Sequence, residues 1–303
     1  IMLSRLILIG TGLSFLIITL ANLYLLSLRP DLAILFGAIM VITGPTVIVP
    51  MLRHIKLSKQ LGSLLRWEGI LIAPVGTILI VLVYQFLYAN ATTPFMLSIT
   101  LFKTLIIGSL IGAIAAVILL KIFQRAWAPE FLQESISLML VFTSYISANG
   151  IQSGAGLVTV VIMGIMLANQ QVVPIKHIMV FKENLRVLAI SSLFIILAAT
   201  LSLDTIKAQL NINMVYYLLT LFFIARPLPV FIATLFSKLS IKERLFISWM
   251  APRGIVTASI ASLFAIDLMN HGVIGAEALV PLTLIVIIAT IGVYGLTAEK
   301  VKL

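Results

Sequence analysis

One glutamate and two arginines interrupt long runs of apolar residues: Glu68 in LLRWEGILIAP, Arg226 in FFIARPLPV and Arg253 in APRGIV. Charge inside an apolar stretch is costly and is kept for a task such as ion binding or proton movement. If each run crosses a bilayer, a helical rise of about 1.5 Å per residue puts Glu68 roughly 8–13 Å from one face. Arg226, 12 residues before Lys238, lies roughly 18 Å from that face, and its long side chain reaches back toward it. The two are expected to pair, because a lone charge at that depth costs at least ~2.5–3.5 kcal/mol. Such a pair organises an ion site or staples two helices, and both readings predict the same contact.

Two apolar runs carry helix breakers. ITGPTVIVP (42–50) places Thr43, Gly44, Pro45 and Thr46 near the middle of its run. Pro45 removes a backbone donor and frees a carbonyl. Free carbonyls and threonine hydroxyls are the hard oxygen ligands that a small cation needs. The alternative is a proline kink that only shapes packing. APRGIV (251–256) is the matching break, where Arg253 sets a cation opposite the half-helix ends or snorkels to the interface. Residue 73, about one and a half turns beyond Glu68, is alanine, which binds neither a cation nor a proton. Arg66 is expected nearer the surface, and Asp204 and Asp267 at the interface. Ser144, Ser147, Asn149 and Gln152 either line a polar path or bond helix to helix.

Other chemistry is poorly served. There are no cysteines, and His54, His177 and His271 fall in loop-like segments without metal-ligand spacing. No phosphate loop, dinucleotide fingerprint or nucleophile–base constellation is present. The chain is therefore not expected to be an enzyme or to carry a cofactor.

The elements that must position these residues are helices in lipid. Of 303 residues, 61% are hydrophobic and only 10% charged, against about half and a quarter in a soluble domain. Apolar runs fall near 6–28, 32–52, 63–88, 97–120, 131–148, 153–169, 185–202, 214–236, 244–266 and 279–298. Lipid cannot satisfy a bare backbone, so such runs are helices. The expected fold is all-α: a single polytopic transmembrane domain over 1–303, its core helices within 1–88 and 214–298. The net charge of +10 would point a soluble protein toward nucleic acid. Here Lys and Arg concentrate in alternate connections, which reads as topology, with both termini cytoplasmic and no nucleic-acid partner. The first three and last three runs then have inverted orientations, each triplet with a broken middle member. Paired broken helices in inverted halves point to a transporter site.

At these residues the chain resembles the NhaP-type sodium or potassium/proton antiporters, relatives of the eukaryotic sodium/proton exchangers. The resemblance rests on ITGPTVIVPMLR, LLRWEGILIAPVGTILIVLV, FKENLRVLAISSLFIILAA, the ARP at 225–227 and ERLFISWMAPRGIVTASIASLFA. It covers nearly the whole chain in order. It implies two crossed, unwound helices in an elevator-type core, a homodimer, and about three further helices before Ile1. It matches Glu68 and Arg226 to the family's ion pair, and Thr43 with its neighbours to the first unwound segment. Where the family carries an ion- and proton-binding aspartate, often preceded by asparagine, this chain has Ile72 and Ala73.

The expectation is a monovalent cation (Na+ or K+)/proton antiporter core in the cell membrane, exchanging little because Ala73 lacks the carboxylate. The alternative is an antiporter-fold sensor or partner-binding scaffold that no longer transports.

Overall fold

The computed structural model describes residues 2–44, 48, 58–88, 94–173, 176–200, 206–207, 209–237 and 239–297. Among these, the regular structure is helical throughout: α1 (Met2–Tyr24), α2 (Pro30–Val41), α3 (Lys59–Tyr88), α4 (Pro94–Gln124), α5 (Glu130–Ile151) and α6 (Ala155–Asn169) lead to α7 (Lys176–Thr200). Then come α8 (Ile212–Thr220), a π-helical segment (Leu221–Ala225), α9 (Pro227–Ala233), α10 (Ile241–Trp249), α11 (Ile255–Asn270) and α12 (Leu279–Thr297). Six helical stretches among the described residues are long and apolar enough to cross a membrane, and α2, α6 and α11 are shorter apolar helices. Large apolar side chains such as Leu8, Phe102, Ile288 and Leu296 face outward, as on a lipid-facing surface. This is a multi-pass integral membrane protein.

Several boundaries differ from the periodicity. The run at 32–52 leaves helix at Val41, and Ile42–Gly44 have no regular structure. The run at 244–266 is two helices, α10 and α11, with residues 250–254 between them. The run expected as one helix over 214–236 is divided by the π segment and ends at Ala233. His177, expected in a loop-like segment, lies within α7, because that helix begins well before its apolar part.

Two compact units divide the chain, one formed by 1–83 with 196–303 and the other by 84–195. In the first, Leu6 of α1, Leu61 and Leu65 of α3, Val230 of α9, and Phe246 and Ile247 of α10 share one buried cluster. α1 packs on α2 through Gly37, where any Cβ would strike the Thr19 side chain. In the second, Gly108 and Gly112 lie four residues apart on α4 and face α6. A Cβ at Gly108 would sit 2.8 Å from the Ala155 carbonyl. This is the small-xxx-small contact that lets backbones approach in lipid, where no hydrophobic drive holds helices together.

Candidate functional site

Leu61, Leu65, Glu68, Ile72 and Ile80 are all buried on α3. Their spacing of three, four or eight residues draws one stripe along the helix. Glu68 is thus carried inward by the same periodicity as its apolar neighbours, and is 2% exposed. Facing it is Arg226, 6% exposed, with Nη1 2.7 Å from Glu68 Oε1. The expected pair is present, and neither charge reaches solvent.

Arg226 is positioned by a break in its own helix. Pro227 and Pro229 lack the N–H groups that would bond the carbonyls of Phe223 and Ala225. The chain widens into the π turn Leu221–Ala225 just before the arginine, a device often found at functional sites. The Ala225 carbonyl does not stay bare: the Ser14 hydroxyl of α1 donates to it at 2.9 Å. α1 thereby anchors the turn that aims Arg226.

The two breaks expected from TGPT and APRG meet. The Gly44 N–H donates to the Pro252 carbonyl at 2.8 Å. Arg253 Nη1 donates to the Val41 carbonyl at 3.2 Å, and the Thr257 hydroxyl to the Ile42 carbonyl at 3.2 Å. The Arg253 N–H donates to the Thr290 hydroxyl of α12, also at 3.2 Å. A Cβ on Gly44 would fall 2.9 Å from Gly254 Cα, so the strands of the crossing touch backbone to backbone. A helix that stops at Val41 leaves its last carbonyls unsatisfied and its C-terminal end partly negative. Arg253, 4% exposed, answers both needs and does not snorkel.

Of the other candidates, Ile72 is buried in the α3 stripe, while Ala73 is half-buried. The Ala73 carbonyl accepts the Thr77 hydroxyl at 2.9 Å, and Ala73 lies one turn before Gly76, which abuts Ile42. Arg66 is exposed. Pro45 and Thr46, like His54 and Asp204, lie outside the described residues. Asn149 accepts the Gly156 N–H and so ties α5 to α6, whereas Ser144 donates to the Val141 carbonyl of its own helix.

The hydrogen-bond ledger around the crossing was not legible in the sequence. The carbonyls of Val41, Ile42, Ala225 and Pro252, which the breaks free, each accept a donor. The buried polar atoms left without a partner include Thr43 Oγ1, the Tyr217 hydroxyl and Arg226 Nε. Ser14, Thr257 and Thr290 are site residues that pattern reading passes over. A lone hydroxyl in an apolar helix commonly bonds its own preceding turn, as Thr283 does to the Leu279 carbonyl.

The chain is similar to proteins named as sodium/proton antiporters. It is 27% identical over 244 residues to "Na(+)/H(+) antiporter 1" of Methanocaldococcus jannaschii, covering 78% of this chain and 57% of that protein. It is 25% identical over 256 residues to "Probable Na(+)/H(+) antiporter 2" of the same organism, covering 79% and 59%. The match thus spans less than two thirds of either protein. "Na(+)/H(+) antiporter NhaH" of Halobacillus aidingensis is 24% identical over 304 residues, covering 97% of this chain and 73% of that protein. The solved structure of the sodium proton antiporter MjNhaP1 from M. jannaschii at pH 8 superposes with a TM-score of 0.83 at 22% identity, over 99% of this chain and 77% of that one. A second MjNhaP1 structure, from electron microscopy, gives 0.77 at 24% identity over the same shares. These likenesses show an antiporter fold. The sodium/hydrogen exchanger transmembrane family matches residues 3–301, nearly the whole chain, and the chain belongs to that family.

Proposed function

We propose that this chain is the transport core of a monovalent cation/proton antiporter, working as a homodimer in the cell membrane by elevator-type alternation. Thr43 to Thr46, Glu68, Ile72, Ala73, Arg226 and Arg253 form its ion site or organise it. The observation that carries this reading is the laced crossing of two interrupted helices next to a buried Glu68–Arg226 pair. Interrupted helices put irregular backbone at membrane depth, where it is tolerated only around a cavity or inside protein. The sodium and proton in the relatives' names support those substrates, and potassium remains within the reading.

Exchange requires one group that takes either a cation or a proton. Residue 73 is alanine and offers no carboxylate, so on this reading the chain exchanges weakly. Vesicles carrying the protein and a pH-sensitive dye should show near-background proton movement on adding Na+ or K+. Ala73→Asp should raise it clearly. Robust flux in the unaltered chain, or no gain in Ala73→Asp, would count against the assigned site. The second outcome would favour a scaffold or sensor that keeps the fold, a reading that Ala73 itself motivates.

A further inference from the structure

The buried charged side chains among the described residues are Glu68, Arg226 and Arg253, one more cation than anion. Glu68 is committed to Arg226 at 2.7 Å. Among the described residues Arg253 has no carboxylate partner; it bonds a backbone carbonyl, that of Val41. Its electrostatic neighbours are Tyr294, Arg226, Tyr217 and Glu68. The region is therefore positive in a low-dielectric setting, where charge is weakly screened.

The hydrogen-bond ledger leans the same way. The carbonyls of Val41, Ile42 and Pro252 each already hold one donor, which leaves a cation only part of their acceptor capacity. The atoms there without a hydrogen bond are the Tyr217 hydroxyl, fully buried, the Thr43 hydroxyl at 2% exposure, Arg226 Nε–H and Glu68 Oε1; Glu68 Oε1 is already held by the ion pair with Arg226, and the two hydroxyls and the Nε–H can each donate. Buried polar groups are nearly always satisfied. A ligand that accepts several hydrogen bonds, donates none and carries one negative charge meets both needs.

We propose that the crossing binds a small monovalent inorganic anion, of the halide type, near Arg253, Tyr217 and Thr43. This goes beyond the antiporter reading and shares with it only the location. The anion takes the balancing role that a carboxylate on α3 would otherwise fill, and the two should exclude each other.

The test is thermal unfolding of the full chain in detergent, at constant ionic strength, in choline chloride, choline gluconate and sodium gluconate. The unfolding temperature should climb with the logarithm of chloride concentration, as for any ligand of the native state, and sodium gluconate should match choline gluconate. Tyr217→Phe keeps the ring and removes one donor, and should raise the half-maximal chloride concentration by roughly tenfold. Ala73→Asp should abolish the chloride response. Stabilisation by sodium gluconate alone, no response to chloride, or a chloride response unchanged in both variants would overturn the proposal. Proton flux in vesicles carrying Ala73→Asp reports separately on the antiporter reading, so either claim can fail without the other.

Discussion

Replacing Glu68 by glutamine leaves the Arg226 guanidinium buried without its counter-charge. The contact is 2.7 Å long, with side chains 3% and 7% exposed, so water cannot take over. For charge centres about 4 Å apart at an effective dielectric near 20, the attraction lost is about 4 kcal/mol. Removing one partner of a buried pair typically costs ~3–5 kcal/mol. A shift of about 2–4 °C per kcal/mol makes this a fall of roughly 6–20 °C in unfolding temperature. Tryptophan fluorescence reads it directly, since Trp67 adjoins Glu68 in the chain. Arg226→Gln should cost a comparable amount. The double variant Glu68→Gln/Arg226→Gln should cost less than the sum, by about 2–4 kcal/mol, because no orphaned charge remains. Additive losses, or single losses under about 1 kcal/mol, would refute the claim that the pair is held dry and coupled.

Gly44→Ala drives a methyl to 2.9 Å from the Gly254 backbone, which has no side chain to rotate away, and should cost ~1–3 kcal/mol. A melt and limited proteolysis would register the loosened crossing; a melt identical to that of the unaltered chain would mean that the backbones are not in contact. Ser14→Ala strips the Ala225 carbonyl of its donor and should cost ~1–3 kcal/mol. Ser14→Thr, which keeps the hydroxyl, should recover part of that in the same melt.

How much of this was visible in the chain alone follows from range. Glu68 and Arg226 stood out because ionisable residues in apolar runs are few, and depth counted from the run ends brought them level. The breaks at Thr43–Gly44 and 250–254 were legible because proline and glycine act on their own backbone neighbours. The division at Leu221–Ala225 was not, although Pro227 and Pro229 were in view. A proline near a helix start is also well tolerated, so local rules do not choose between a helix continued, kinked or widened.

Composition and spacing by themselves determined the solvent, the helical class and the positions of the interruptions, since each depends on residues within a turn or two. Tertiary structure decided who satisfies whom. Ser14 meets Ala225, Arg253 meets Val41 and Thr257 meets Ile42 across separations of 211, 212 and 215 residues. No periodicity reaches that far, because a freed carbonyl in lipid accepts whichever donor the packing brings to it.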